Sequence, residues 1–493
     1  MKYLIGLDVG TTGTKAMLFS ETGENLGHAY SSYALSTPKI GRCEQDPLDW
    51  WNAIIHTIRS LCPDPEISEN VAAISLSTQG GTLVAVDEKF NPVRPAIVWS
   101  DKRCPEQKRQ FEEEFGSLDS VYQKTGWRLG NGLNLSQIRW LKENEPENFK
   151  KAAFFLSVPD YVSGKMTGIP ACDMSNAGIN HLVDIREGRY DPDLLKFAGI
   201  AEDRLPKLVH SGDVIGPLTK EAAFILGLTT KCVLVAGAHD QYAVAVGAGA
   251  NKAGDILIGT GTAWVITAIG DSPDFDSGRA QSVAAAPGKW GTMWTLSNGG
   301  ICLEWWRKKL TCSENEKRIS FESINEEVAK RKAAEEGLFF FPFSGRSTLQ
   351  ATLPKGAFIG IDLAHDRFDL ARAIMEGIAF QIVWMLGGFK TKPSKDGLKL
   401  SGGATKSPVW CQMIADISNL PVRIPDVADL ACVGAAILAG VGANIFFDVE
   451  EGYRCLAVSD RVIYPDAETA ASYEKLAREY TKIASELGNI YKV

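Results

Sequence analysis

The sequence predicts an α/β protein in two halves, and three observations carry that prediction. A hairpin is written twice: YLIGLDVGTTGTKAMLF spans 3–19 and DILIGTGTAWVITAI spans 255–269. Each copy is an apolar strand, a Gly/Thr turn and a second apolar strand. Buried strands alternate with helical stretches after both copies, the pattern of α/β architecture. The chain has 493 residues, beyond the roughly 250–300 that one core fills. The halves are set at 1–245 and 246–493.

In the first half, CEQDPLDWWNAIIHTIRSL (43–61) reads as a helix opening near Asp46 with Pro47 in its first turn. VAAISLST (71–78) is a buried strand, and TLVAVD (82–87) and PAIVW (95–99) are further strands around a polar turn. The stretch 106–147 is mostly helical. The segments 152–168 and 171–185 read as an insertion that shapes a cleft. KCVLVAGAHDQYAVAVGAGA (231–250) closes this half with a strand, a Gly turn and a small-residue helix.

The second half opens on the repeated hairpin. TMWTLSNGGICLEWWRK (292–308) is a strand running into a helix, and a charged helix covers about 320–336. LFFFPFSGR (338–346) is an apolar strand with a break. Residues 369–386 have helical periodicity and are apolar nearly all round, so they form a buried central helix. LKLSGGATKSPVWCQMIADISNLPV (398–422) gives strand, Gly turn and helix, and 467–487 is an amphipathic tail helix.

Composition excludes several classes. A net charge of -8 argues against a nucleic-acid partner. No apolar run reaches the ~18–20 residues of a membrane span. The ten cysteines form no CxxC pair and the six histidines show no zinc spacing. The opening MKYLIGLDVG interrupts its apolar run with Gly and Asp, so no secretory signal is expected. Scattered thiols fit a reducing, cytoplasmic setting.

The Gly/Thr turns point to an anion. Glycines let a backbone approach closely, and their N–H groups with Thr hydroxyls can cradle phosphate oxygens. Asp8 sits at the first turn, where it could hold a phosphate-bound magnesium ion through water. Neither turn is a known single-loop fingerprint: GTTGTK (10–15) lacks P-loop spacing and GTGTAW (259–264) lacks a third glycine. SGGATKSP (401–408) could meet a phosphate or ribose beside a helix N-terminus, or be a plain turn. Asp240, in AGAHDQ (236–241), could accept a hydroxyl proton or simply cap a helix. STQGG (77–81) and WSDKR (99–103) offer Gln79, Trp99, Asp101 and Arg103 to a polyol, unless Trp99 is core and the charges are solvated.

These motifs, in this order, resemble the FGGY carbohydrate kinases over nearly the whole chain. DVGTTGTKA (8–16) is similar to that family's first phosphate motif and IGTGTA (258–263) to its second. GAHDQ (237–241) resembles the segment holding the catalytic aspartate, here Asp240, and SGGATKSPVWCQMIAD (401–416) the adenosine motif. GAFIGIDLAHDRFDLARAIMEG (356–377) resembles the C-terminal signature, and CEQDPLDWW, WSDKR and DMSNAG (173–178) are also family-like.

The resemblance implies two ribonuclease-H-like, actin-type ATPase domains with a catalytic cleft between them. It implies ATP and Mg2+, with Asp8 holding the metal and Asp240 sharing it through water. Asp240 would be the general base. Thr11, Thr12, Gly13, Gly259, Thr260 and Gly261 would enclose the β- and γ-phosphates. Gly300 and Glu304 fall where the family contacts nucleotide, and Gly403, Ala404 and Ser407 would meet the α-phosphate and adenosine. The sugar would lie among Gln79, Gly80, Trp99, Asp101, Asp240 and Gln241.

The implied substrate is a pentulose such as xylulose, or a related ketose. Xylulose kinases carry Met-His, and glycerol kinases Arg-Glu, where this chain has Gly80 and Gly81. Hexuloses and sugar alcohols therefore stay open, and glycerol is disfavoured. The expected partner is a small-molecule sugar, with no nucleic acid or membrane, and a homodimer is left open. Two other classes are an actin-type ATPase and a non-catalytic sugar-binding regulator. The C-terminal signature and WSDKR favour the kinase over the ATPase, and the retained Asp8 and Asp240 argue against the regulator.

Overall fold

The computed structural model describes residues 1–130, 133–311, 318–332, 337–342, 355–427, 429–456 and 460–490. The chain divides into two compact units. The first comprises 1–252, 269–292 and 427–458, and the second 253–268, 293–426 and 459–493. The first break falls close to the expected boundary after 245. The second half does not run on unbroken, because 269–292 and 427–458 return to the first unit.

The first unit holds a six-stranded sheet in the order Val214–Pro217, Val233–His239, Val71–Thr78, Tyr3–Val9, Gly13–Ser20, Asn25–Ser32. Its three central strands are parallel and the flanking pairings antiparallel. Strands covered on both faces read as continuous apolar runs; in YLIGLDV (3–9) every residue but Asp8 is buried. Asp8 pairs with Ser77 and Thr78 with His239, so the C-terminal ends of the three parallel strands lie level.

The helix Pro47–Leu61 begins as its sequence requires. Asp46 accepts a hydrogen bond from the Leu48 N–H at 2.9 Å, and Pro47 occupies the first turn, where a missing N–H costs nothing. The stretch 106–147 is cut into Pro105–Phe115, Asp119–Thr125 and Asn134–Asn144. Gly116 (φ 69°) and Gly126 (φ 77°) take the left-handed conformation that ends the first two.

The second unit repeats the plan of the first. Its strands belong to a seven-stranded sheet in the order Ala280–Val283, Trp290–Leu296, Trp264–Gly270, Ile256–Thr260, Leu398–Gly402, Val422–Pro425, Asp460–Ile463. The hairpin's first strand again has its antiparallel mate on one side and a parallel strand on the other, with Thr260 level with Gly402. The expected central helix is Arg367–Gly387. Among the described residues it alone is long and apolar enough to cross a membrane, yet 72% of that apolar window is buried inside the protein. Phe380 stacks on Tyr480 from the tail helix Ala467–Ile490, and Tyr480 stacks on Phe341. The charged helix is shorter than expected, Phe321–Ala329. Its expected end at 333–336, and 343–346 of the apolar strand with a break, lie outside the described residues.

Several elements go beyond the sequence reading, among them the strand Asn25–Ser32 and the helix Leu430–Gly442. The helix explains why 427–458 belongs to the first unit. A Cβ on Gly6 would lie 1.9 Å from the Cys432 carbonyl oxygen, and one on Gly434 1.9 Å from that of Ala243. One on Gly247 would lie 2.0 Å from the Leu430 oxygen. The helix thus rests backbone to backbone on the strand Tyr3–Val9 and the helix Asp240–Gly247.

Gly434→Ala must therefore spread the two helices. Overpacking of this kind costs about 1–3 kcal/mol, so the urea or thermal midpoint of the first unit falls. Gly488→Ala, in the tail helix with nothing within 4 Å of its Cβ, is the control and gains about 0.5–1 kcal/mol. Equal effects of the two substitutions would contradict the packing.

Candidate active site

In open parallel sheets, ligands bind beyond the carboxyl ends of the strands. Asp8, Gln79 and Asp240 all sit at such ends, on three neighbouring parallel strands. Asp8 is held by the Ser77 hydroxyl, which donates to it at 2.8 Å. Lys15 lies 3.7 Å from Asp8 and donates to Asp429 at 2.6 Å. Asp429 also caps the helix Leu430–Gly442, accepting from the Ala431 and Cys432 N–H groups. Burial, with Asp429 and then Asp240 as like charges, raises the Asp8 pKa to about 6 against the opposing pull of Ser77 and Lys15. Asp240 is the first residue of its helix, not the cap; His239 is the cap, and its Nδ1 accepts the Gln241 N–H at 3.3 Å. The Asp240 side chain remains 41% exposed.

The first Gly/Thr turn is tied down through its carbonyls. Tyr33 donates to the Gly10 oxygen at 2.7 Å, Gln45 to Thr11 at 2.7 Å, and the Tyr33 N–H to Thr12 at 3.2 Å. No protein acceptor among the described residues takes the Thr11 or Thr12 N–H, an arrangement that suits an anion. Gly13 is required by Tyr30, whose ring would lie 2.5 Å from a Cβ there.

The residues expected to bind sugar divide into two groups. Trp99 is 49% exposed and donates its indole N–H to Thr11 Oγ1 at 3.2 Å. Its ring is therefore fixed beside the turn with a face open. Gln79 is buried, accepting from Thr11 Oγ1 at 3.1 Å and reaching Gln45 at 3.4 Å. It braces the turn. Gln241 gives its N–H to Asp240 Oδ1 at 2.6 Å. Gly80 is buried beside His239.

Asp101 departs from the expected sugar contact. Its side chain has no exposed surface. Oδ1 accepts from Arg103 Nε at 2.9 Å, and Oδ2 from the Cys43 N–H at 2.6 Å and an Arg103 terminal nitrogen at 2.8 Å. Arg103 is bonded to Glu44 as well. The pair sets the loop behind Trp99, and both Asp101 oxygens are taken up within it.

The second unit contains a cavity of about 610 Å3, within the size range of small-molecule sites. Thr260, Gly261, Gly300, Glu304, Gly403, Ala404 and Ser407, all expected at the nucleotide, line it; Gly259 does not. Thr260 Oγ1 donates to the Ser401 oxygen at 2.6 Å and accepts the Ala404 N–H at 3.0 Å, joining two turns. A Cβ on Gly300 would lie 2.6 Å from the Gly261 oxygen. Glu304 is bound to Arg307 and Lys308, which hold its carboxyl down at about 2. It orients Arg307 over the Phe321 ring at 4.5 Å. Ser407 donates to Asn325 Oδ1 at 2.6 Å.

Sequence reasoning missed Lys15, Asp429, Arg307, Phe321 and Asn325. Lys15 stood in plain view seven residues after Asp8. Asp429 carried only a generic cap signal, and its partner lies 414 positions away.

Because its pKa is raised, Asp8 binds a proton more tightly in the folded protein than in the unfolded chain. Its charge lowers stability above pH 6 and has no such effect below 3.8. Metal-free Asp8→Asn is therefore more stable than the parent near pH 8, by up to about 3 kcal/mol. The gain shrinks as pH falls through 6 and is gone below the ordinary value of 3.8. Unfolding midpoints in a chelator across that range check this, and a gain independent of pH contradicts it.

The geometry agrees with what the chain is similar to. The profile of the FGGY family of carbohydrate kinases, N-terminal domain, matches residues 3–247, and that of the C-terminal domain matches 254–443. The L-xylulose/3-keto-L-gulonate kinase of Escherichia coli (strain K12) is 31% identical over 494 residues, covering 99% of this chain and 97% of that protein. The xylulose kinase of Bacillus subtilis (strain 168) is 32% identical over 496 residues, covering 98% and 97%. The crystal structure of xylulose kinase from Rhodospirillum rubrum superposes with a TM-score of 0.91 at 26% identity, covering 100% of both chains. With a repeated phosphate-type hairpin, an aspartate at the ends of the two parallel strands that flank Val71–Thr78 and both domain profiles matched, this chain belongs to the FGGY family of carbohydrate kinases.

Proposed function

We propose that this protein transfers the γ-phosphoryl group of ATP to a hydroxyl of a pentulose such as xylulose, or of a related ketose, with Asp240 as general base. One observation carries the reading most directly. Asp240 keeps an exposed carboxylate at the end of the strand Val233–His239, and Asp8 stands level with it at the end of Tyr3–Val9, on the other side of the strand Val71–Thr78. The names of the relatives, which include xylulose, L-xylulose and 3-keto-L-gulonate, support the substrate class. Hexuloses and sugar alcohols are the second reading, favoured by the absence of side chains at Gly80 and Gly81.

Among the described residues no three His, Cys, Asp or Glu side chains gather to cage a metal. That suits Mg2+, which keeps several waters and takes one or two carboxylates plus substrate phosphates. Asp8 fits this use: it is buried among like charges, so a divalent cation relieves its repulsion. Mg2+ held there by Asp8, with Asp240 through water, would neutralise charge on the transferring phosphoryl group.

The chain's own residues do the rest. The amides of Thr11 and Thr12 meet phosphate oxygens, while Lys15 supplies a positive charge beside them. The cavity behind Thr260 and Gly300 takes the nucleoside, with Ser407 and Asn325 at its helix end. Trp99 offers its face to the sugar. Asp240 orients the reacting hydroxyl and accepts its proton.

Asp240→Asn keeps the shape and removes the base. The expected fall in kcat is about 10²–10⁴-fold, with the Kd for an ATP analogue unchanged. Near-normal turnover in this variant would overturn the assignment. Gly300→Ala has the opposite pattern. Its Cβ must move the Gly261 carbonyl, so the KM for ATP rises about tenfold or more, as misplacement of a site element does, while sugar affinity measured without nucleotide holds. An unchanged KM for ATP would place the nucleotide elsewhere.

A further inference from the structure

We propose that Asp429 is a positioning residue for phosphoryl transfer: it holds the Lys15 ammonium off Asp8, so that the Asp8 carboxylate stays open to a divalent cation. The inference rests on the reading of Asp8 as the carboxylate that takes the metal, and adds the residue that keeps it available.

Sheet register alone pairs Lys15 with Asp8. The two stand directly opposite each other on the antiparallel strands Tyr3–Val9 and Gly13–Ser20, and opposite charges so placed attract. The structure gives Lys15 a different partner. Its Nζ donates to Asp429 Oδ2 at 2.6 Å and stops 3.7 Å from Asp8 Oδ2, beyond hydrogen-bond distance. Among the described residues, Asp8 takes one hydrogen bond, from Ser77 to its other oxygen. Oδ2 lies on the side of the Gly/Thr turn, 4.0 Å from where a Cβ on Gly10 would stand. This is the oxygen that a phosphate-bound cation would meet, and a Lys15 that closed on it would occupy it instead.

Asp429 can hold Lys15 because its own place is fixed. Its Oδ1 accepts the N–H groups of Ala431 and Cys432, both at 3.1 Å, and so caps the helix Leu430–Gly442. That helix is locked onto the strand that carries Asp8, where a Cβ on Gly6 would lie 1.9 Å from the Cys432 oxygen. One carboxylate oxygen is taken by the cap and the other by Lys15. The Lys15 side chain is 47% exposed, so packing does not fix it; the bond to Asp429 does. Capping does not require the charge, since Asn and Ser cap a helix about as well as Asp. The charge even works against Asp8, a like charge close by. A negative cap where a neutral one would serve is accounted for by the cation it holds.

The test is a double-mutant cycle on metal binding. Mn2+ replaces Mg2+ as the probe, and its Kd for the protein saturated with a non-hydrolysable ATP analogue is read by electron paramagnetic resonance. In Asp429→Asn, which keeps the cap, Lys15 closes on Asp8 and the Kd rises about tenfold, the size of one charged hydrogen bond. Removing the competitor reverses this, so Asp429→Asn with Lys15→Met returns to near the parent value. In the parent background, where the ammonium is already held away, Lys15→Met alone changes the Kd by about threefold or less, as exposed ion pairs do. The Mg2+ concentration for half-maximal turnover follows the same order. Asp429→Ser, a second capping substitution, takes the place of Asp429→Asn if that variant does not fold. A Lys15→Met effect of the same factor in both backgrounds would overturn the inference, because independent charges add. An unchanged Kd in Asp429→Asn would overturn it too, leaving Asp429 as a cap. Mn2+ binding unaffected by Asp8→Asn would overturn the reading of Asp8 itself, and the inference with it.

Discussion

The active end of the first unit depends on a backbone contact. The helix Leu430–Gly442 lies so close to the strand Tyr3–Val9 and the helix Asp240–Gly247 that Gly6, Gly247 and Gly434 have no room for a Cβ. That contact brings Asp429 and Asp240 close enough to Asp8 for their charges to act on it. Asp429 caps the first of these elements, Asp8 ends the second and Asp240 begins the third. Lys15 is the cation shown among them, bound to Asp429 and near Asp8. A site with more carboxylates than cations repels a polyphosphate unless a divalent ion comes with it. The raised pKa of Asp8 expresses the same excess before any ligand arrives.

The two units use one plan for different ends. In each, a hairpin strand lies beside a parallel strand, and Gly/Thr turns gather at the strand ends. In the first unit the turn is braced from behind by Gln45, Tyr33 and Gln79, and carboxylates line up beside it. In the second, the turns open on an apolar cavity edged by Phe321 and Trp410. The carboxylate end suits proton transfer and metal, and the cavity suits a nucleoside.

Much of this was legible in the sequence because it is local. The hairpin repeat, the Asp46–Pro47 helix start and the buried helix Arg367–Gly387 follow from short-range pattern. The places of Asp8, Asp240 and the 401–408 turn at strand ends followed from turn composition. What was not legible is long-range. Nothing near 430 says that its helix belongs with residue 6, and Asp429 meets Lys15 across 414 positions. Asp101 looked like a ligand contact because an exposed acid and a buried ion-paired one are spelt alike; only Arg103, Glu44 and the Cys43 amide reveal the difference. Gly80 read as an absence until His239 was seen to occupy the space.

The central claim is that the carboxylate end serves transfer to a sugar rather than hydrolysis of the nucleotide. The most direct measurement is ADP formation by the intact protein with Mg2+ and ATP, with and without a saturating pentulose, hexulose or sugar alcohol, with sugar phosphate quantified in parallel. The account predicts that ADP forms rapidly only when an accepted sugar is present, and in one-to-one proportion with sugar phosphate. ADP released at the same rate without any sugar, with no sugar phosphate formed, would contradict it.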